Sequence, residues 1–199
     1  RVSLLTAVTG IERLGDRVAA LHTNRGTLYP RLVVDAAGVW ADRIAAMAGD
    51  EFFTIHPRKG SSSILDKKAG YLTASVLAKA PFADVKQHTK GGGIVRTIDG
   101  NILVGPTAQE VRRREDNSTD QPQIDASFEK HSKVAPHLSE RDVITYFSGT
   151  RAATYEEDFI VGPSPRVRNL LYAAGIQSPG LTAAPAIAKD IAALAVQAL

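Results

Sequence analysis

The 199-residue chain contains no cysteine, one methionine and one tryptophan. Without cysteine there is no disulfide, no thiolate nucleophile, no cysteine-ligated zinc and no iron–sulfur cluster, and no other metal site is expected. Charge of one sign is also scarce, since 24 basic residues against 21 acidic ones leave a formal +3. The densest basic run, Arg112-Arg113-Arg114, is followed at once by Glu115 and Asp116 and has no interleaved aromatic residue. It reads as a solvated loop, and no nucleic-acid partner is expected. No apolar run approaches the roughly 18 residues of a membrane span, so no transmembrane segment is expected, and no signal peptide is visible. Hydrophobic residues make up 44%, enough for a sizeable core. The first residues are Arg1-Val2-Ser3 instead of an initiator Met, which points to a piece of a longer polypeptide.

Along the chain, strands outnumber helices. Residues 2–34 predict a three-stranded meander with turns at Leu14-Gly15-Asp16 and Asn24-Arg25-Gly26. A short helix follows, with Val39, Trp40, Ile44 and Met47 on one face and Gly49 as its stop. Residues 52–66 and 71–78 predict two strands around Lys67-Lys68-Ala69-Gly70. Ile94 to Ile98 and Ile102 to Val104 form a hairpin about Asp99-Gly100-Asn101. Residues 105–123 predict a loop, Ile124 to Val134 a helix with Asp125 near its start, and Val143 to Phe147, Phe159 to Val161 and Leu170 to Ala173 three strands. A helix from about Thr182 to Leu199 places Ala184, Ile187, Ala188, Ile191, Leu194 and Ala195 on one face, with Pro185 in its first turn. The fold class is α+β, an antiparallel or mixed sheet with helices on one side.

Four segments carry chemistry. Val33-Val34-Asp35-Ala36-Ala37-Gly38 takes a buried strand into three small residues, where a backbone or a ligand can come close or strand and helix simply pack tightly. His56-Pro57-Arg58-Lys59-Gly60 is a basic cluster before a glycine, able to meet an anion or to be an exposed turn. Gly149-Thr150-Arg151-Ala152 sets an arginine directly after a strand, where its planar fork can bind carboxylate or phosphate or pair with Glu156, Glu157 or Asp158. Ala173 to Pro185 runs strand, glycine loop and helix, and its N–H groups with the helix dipole form an electropositive pocket or an ordinary turn with Thr182 as N-cap. Among the histidines, His56 alone adjoins a basic cluster. His22, His88, His131 and His137 read as surface residues, and no base is assigned.

With these segments the chain resembles the FAD-dependent oxidoreductases of the D-amino-acid-oxidase superfamily, in the branch with glycerol-3-phosphate dehydrogenase and L-2-hydroxyglutarate oxidase. The resemblance rests on Val33 to Asp42, Gly93-Ile94 through Gly105-Pro106-Thr107, Gly149-Thr150-Arg151, Asp158 to Gly162 and Gly175 to Pro185. It implies a fragment of a two-domain flavoenzyme. Residues 1–50 would belong to the FAD-binding domain, 51–150 to a substrate-binding antiparallel sheet, and 151–199 to the FAD-binding domain again. No G-x-G-x-x-G follows a strand, so the dinucleotide-anchoring unit lies outside this sequence and the isolated piece would be inactive.

The resemblance implies FAD as cofactor. Ala37 and Gly38 would lie near its pyrophosphate or adenosine, and Val2 near the adenine edge. Gly175, Ile176, Gln177, Gly180, Leu181 and Thr182 would line the isoalloxazine. Arg151 would act at the catalytic site by holding the substrate's anionic group, with Arg58 or Lys59 as a second site for it. The substrate would be a small anionic hydroxy compound such as glycerol 3-phosphate or a 2-hydroxy acid. An amine or amino acid is the alternative within the superfamily, and a non-catalytic substrate-binding or subunit-contact module the alternative outside it. In respiratory glycerol-3-phosphate dehydrogenases a Lys often precedes the last helix, where this chain has Gln177-Ser178-Pro179. The partners allowed are the small substrate, an electron-transfer protein or an oligomer. The location implied is cytoplasmic, or peripheral at the inner membrane face.

Overall fold

The computed structural model describes residues 2–78 and 92–199. His88 therefore lies outside the described residues. The chain divides into two compact units, one of residues 1–56 and 151–199, the other of residues 57–150.

The first unit begins with an antiparallel meander, β1 (Val8–Leu14), β2 (Arg17–Thr23) and β3 (Gly26–Leu28). Two parts of the sequence reading change here. Val2 to Ala7 is irregular instead of strand, because Asn24 takes over its backbone groups: the Ala7 N–H donates to Asn24 Oδ1 at 2.9 Å and Asn24 Nδ2 donates to the Leu5 carbonyl at 3.3 Å. The single strand expected over 28–34 is two pieces in two sheets. Pro30, with no N–H to give a ladder, falls between β3 and β4 (Val33–Asp35).

A second, mixed sheet has the order β11-β12-β4, from β11 (Ile160–Pro163), β12 (Leu170–Ala174) and β4. β12 pairs antiparallel with β11 and parallel with β4, in the register Leu170 to Val33, Leu171 to Val34 and Tyr172 to Asp35. Asn169 joins the meander to this sheet by imitating a strand neighbour: its Oδ1 accepts from the Val18 N–H at 2.7 Å and its Nδ2 donates to the Val18 carbonyl at 3.0 Å. The core of the unit gathers Val18, Val33, Ala41, Ala45, Ala48, Val167, Leu170, Tyr172 and Ala174.

After β4 the chain makes a 3₁₀ turn over Gly38–Trp40 and then α1 (Ala41–Met47), with Gly49 at φ +64 just beyond its end. The buried face is Ala41, Ala45 and Ala48, while Trp40 and Met47 are exposed. Small side chains let this helix lie close on the sheet, and that displaces the large-residue face read from the sequence. Asp50, fully buried, accepts from the Tyr172 hydroxyl at 2.9 Å and from Ser164 Oγ. Burial, then Asp50, holds the Tyr172 phenol above its ordinary range.

The last helix, α3 (Gly180–Ala198), packs on β11 and β12. It starts two residues earlier than expected, because Gly180 N–H already donates to the Gln177 carbonyl and Ala183 N–H to the Pro179 carbonyl. Pro185 thus lies inside the helix, beyond its first turn. The half-buried stripe is Ala183, Ile187, Ile191, Leu194, Ala195 and Ala198, with Ala184 and Ala188 exposed. Among the described residues, α3 is the one helix long and apolar enough to cross a membrane by length and composition alone, since only Lys189 and Asp190 carry charge in an otherwise alanine-rich stretch.

The second unit is built on a sheet of order β10-β5-β8-β7-β6, from β5 (His56–Leu65), β6 (Val76–Leu77), β7 (Gly93–Arg96), β8 (Ile102–Gly105) and β10 (Val143–Ala153), with β9 (Gln109–Glu110) also on β5. The β7–β8 hairpin is as read, closed by Thr97 N–H to the Asn101 carbonyl at 2.8 Å. The predicted pairing of 52–66 with 71–78 is not made. Asp66 caps a 3₁₀ helix over Lys67–Leu72, and β6 pairs with β7 instead. Helix α2 (Gln121–Ser132) begins ahead of Asp125, with Asp120 as N-cap. Ile124 and Phe128 point into a core with Leu65, Ile94, Ile102 and Val104. His131, read as a surface residue, is buried on α2, where burial lowers its pKa although the Ser127 carbonyl at 2.7 Å works against that. Mixed α and β structure with antiparallel and mixed sheets is therefore the observed class.

Candidate functional site

The register Tyr172 to Asp35 brings two turns to one edge. Beyond Asp35, β4 runs out into Ala36-Ala37-Gly38. Beyond Tyr172, β12 adds two residues and turns at Gly175. Neighbouring strands are about 4.8 Å apart, so both turns open at the carboxyl ends of adjacent parallel strands. In open α/β sheets, ligands bind outside that edge.

Asp35 shapes the first turn. Its Oδ1 accepts from the Ala37 N–H at 3.0 Å, and the Ala37 carbonyl accepts from the Trp40 N–H at 3.0 Å. Asp35 is 3% exposed and its Oδ2 is buried with no hydrogen-bond partner. Burial, opposed by the Ala37 N–H and aided by Asp42, pushes its pKa up to about 6. Gly38, at φ +57, is exposed, and a Cβ built on it meets nothing within 4 Å. The glycine is needed for the backbone angle and not for room inside the protein.

The second turn is packed from behind. At Gly175, φ +65, a Cβ would lie 2.8 Å from Thr154 Cγ2 and 3.1 Å from the Asp158 carbonyl. At Gly180 a Cβ would overlap the Ile176 side chain. Gln177 is 5% exposed and its Nε2 donates to Glu157 Oε2 at 2.7 Å. Leu181 is 93% exposed and Thr182 is exposed, in the first turn of α3. The segment from Gly175 to Thr182 is thus a glycine-framed loop running straight into a helix N-terminus.

Arg151 stands in the last three residues of β10, still within the strand and not after it, and is half-buried. Three residues on, Thr154 touches the Gly175 turn. Arg151, Ala37, Gly38 and Gly175 to Thr182 all belong to the first unit, whereas Arg58 and Lys59 belong to the second. Both of the latter are buried beside carboxylates. Arg58 Nε donates to Glu110 Oε1 at 2.7 Å, and Lys59 Nζ lies 3.2 Å from Asp120 Oδ2 and 3.5 Å from Asp116 Oδ2. Burial works to lower the Lys59 pKa, but Asp120 and Asp116 hold it above its usual value. Val2 is 82% exposed on the irregular segment before β1.

Glu157 and His56, both named from the sequence, carry features that the sequence did not show. Glu157 carries a positive φ of 56 at a residue with a Cβ, which no local pattern announces. His56 stacks edge-on to Tyr155 at 3.9 Å between ring centroids, and its Nε2 is buried without a partner.

Residues 1–194 match the family described as FAD dependent oxidoreductase. The chain belongs to that family. It is 33% identical over 165 residues to glycerol 3-phosphate dehydrogenase of Caloramator mitchellensis, covering 83% of this chain and 34% of the relative. It is 29% identical over 189 residues to glycine oxidase of Pseudomonas aeruginosa, covering 95% of this chain and 48% of the relative. The dithionite-reduced L-α-glycerophosphate oxidase of Mycoplasma pneumoniae with FAD bound superposes with a TM-score of 0.76 at 25% identity, over 96% of this chain and 50% of the other. The chain thus spans between a third and a half of the length of these proteins.

Proposed function

We propose that this chain supplies the flavin- and substrate-facing part of an FAD-dependent oxidoreductase acting on a small anionic hydroxy compound of the glycerol 3-phosphate or 2-hydroxy-acid type. The supporting observation is the pair of turns at Ala37-Gly38 and Gly175 to Thr182 on the carboxyl edge of two adjacent parallel strands. The residues fit an extended, partly anionic cofactor. Gly38 has open space above it, Ala36 and Ala37 are exposed, and the 19-residue α3 presents its N-terminus at the end of the second turn. FAD, when bound, supplies the acceptor for the hydride.

The chain's own residues divide the remaining work. Ala37 and Gly38 receive the pyrophosphate or adenosine side, and Val2 is the proposed adenine contact. Gly175, Ile176, Gln177, Gly180, Leu181 and Thr182 face the ring system. Arg151 grips the substrate's phosphate or carboxylate and fixes its position. Arg58 and Lys59, set beside Glu110 and beside Asp116 and Asp120, are the second candidates for that anion. A second reading, oxidation of an amino acid, is supported by the likeness to glycine oxidase, and the same arginine fork would hold a carboxylate there.

The test uses the longer protein that contains this chain, offered glycerol 3-phosphate, a 2-hydroxy acid and glycine. The reading expects bound FAD and oxidation of one of them. Arg151→Ala should raise KM for that substrate by on the order of a hundredfold, the loss of a charge-assisted bidentate contact, with FAD retained. An unchanged KM removes Arg151 from the site, and a protein that holds no flavin removes the reading.

A further inference from the structure

Asp35 closes β4, and the turn proposed to receive the cofactor starts at the next residue. Its side chain holds that turn: Oδ1 accepts from the Ala37 N–H at 3.0 Å, next to Gly38 in the chain. Ala36, Ala37 and Gly38 are exposed, whereas Asp35 is buried. The carboxyl therefore lies on the protein side of a turn whose own residues face outward.

A carboxyl in this place is easier to keep neutral than charged. Oδ2 is buried with no hydrogen-bond partner, so a negative charge has the Ala37 N–H as its one donor to offset lost hydration. The titratable groups around it add nothing favourable to that charge. Asp42 on α1 is a second carboxylate. Tyr172, its partner in register on β12, gives its hydroxyl proton to Asp50. Asp35 accordingly keeps its proton until about pH 6. With Oδ1 accepting, the proton of the neutral form sits on Oδ2.

We infer that Asp35 is a positioning residue that shapes the cofactor turn as a neutral acid, so that binding of FAD takes up a proton at this carboxyl. The inference rests on the proposed role of Ala37 and Gly38 and takes the anionic pyrophosphate as the group they meet. A pyrophosphate brought to this turn is repelled by a carboxylate at Asp35 and not by a carboxylic acid. The same repulsion holds the proton on Asp35 to higher pH once the cofactor is bound. By reciprocity the protonated protein binds the cofactor more tightly, by the same factor. Affinity is thus full below about pH 6 and falls as pH rises above it.

The test measures FAD binding to the apo form of the longer protein that contains this chain, from pH 5 to pH 8, for wild type and Asp35→Asn. Asn can still accept from the Ala37 N–H but gains no charge. Asp35→Ser, whose hydroxyl can take over the same turn bond, is a second neutral variant. The wild-type Kd should rise about tenfold over that range, the equivalent of one pKa unit, while that of the neutral variants stays level within about threefold. Calorimetry near pH 6.5 in two buffers of different ionisation enthalpy should show about half a proton more taken up per FAD by wild type than by Asp35→Asn. A residue that only braced the turn would change Kd by one factor at every pH. That outcome, a level wild-type Kd, or a proton uptake that Asp35→Asn leaves unchanged overturns the inference alone. A longer protein that binds no FAD at any pH overturns the proposed function and this inference with it.

Discussion

Asp35 combines a structural and an electrostatic role. One carboxylate oxygen holds the Ala37 turn, and the other is buried with no donor. The folded state keeps the proton until about pH 6, while an unfolded Asp releases it near 3.8. Between those values the fold binds more protons than the unfolded chain, so stability falls as pH rises through that window and is level above it. Asn at this position can still accept from Ala37 without the buried charge. Asp35→Asn should stabilise the protein by on the order of 2 kcal/mol at pH 8, with the gain vanishing below about pH 4. Thermal melts across that range check it, and a gain independent of pH would contradict it. The special position of Asp35 was visible only as a carboxylate at the end of an apolar run. Its burial came from the neighbouring strand, which no local pattern specifies.

At the scale of elements, the two glycine turns serve their strands differently. Gly175 is enclosed by Thr154 and Asp158, so Gly175→Ala meets both a left-handed φ and a Cβ contact of 2.8 Å. The substitution should cost about 2–4 kcal/mol, measurable by denaturant unfolding, and a loss below about 1 kcal/mol would show that the 154–158 turn yields freely. Elements with a local signature were legible. The Asp99-Gly100-Asn101 hairpin and the strand–loop–helix run from β12 into α3 could be read directly from turn residues and periodicity. Elements decided by distant partners were not. Pro30 split one expected strand between two sheets, Asp66 turned an expected hairpin into a 3₁₀ helix, and α1 buried its alanines instead of its large residues. The candidate site followed the same rule. Its glycines and Arg151 stood out by sequence, whereas Glu157 and the orphaned His56 nitrogen depend on tertiary contacts.

At the scale of the whole chain, the first unit is assembled from its two ends. The β4–β12 pairing brings residues 33–35 beside residues 170–172, and Asn169 locks the meander to the same sheet. The second unit supplies residues 57–150, with its own core and with Arg58 and Lys59 in internal ion pairs. The turns proposed to hold the cofactor are thus carried by one sheet edge, drawn from distant parts of the sequence.

The central claim is that a cofactor comes close to the strand-end turn at Gly38. Gly15, in the β1–β2 turn, provides a matched control. Gly38 has φ +57 and Gly15 φ +62, and a Cβ on either meets nothing within 4 Å. Alanine at each position therefore carries the same backbone strain of about 1 kcal/mol. The deciding measurement is the FAD dissociation constant of Gly38→Ala and Gly15→Ala in the longer protein that contains this chain. The account predicts similar melting temperatures for the two variants but FAD binding at least about tenfold weaker in Gly38→Ala alone. Equal FAD affinity in both would contradict it.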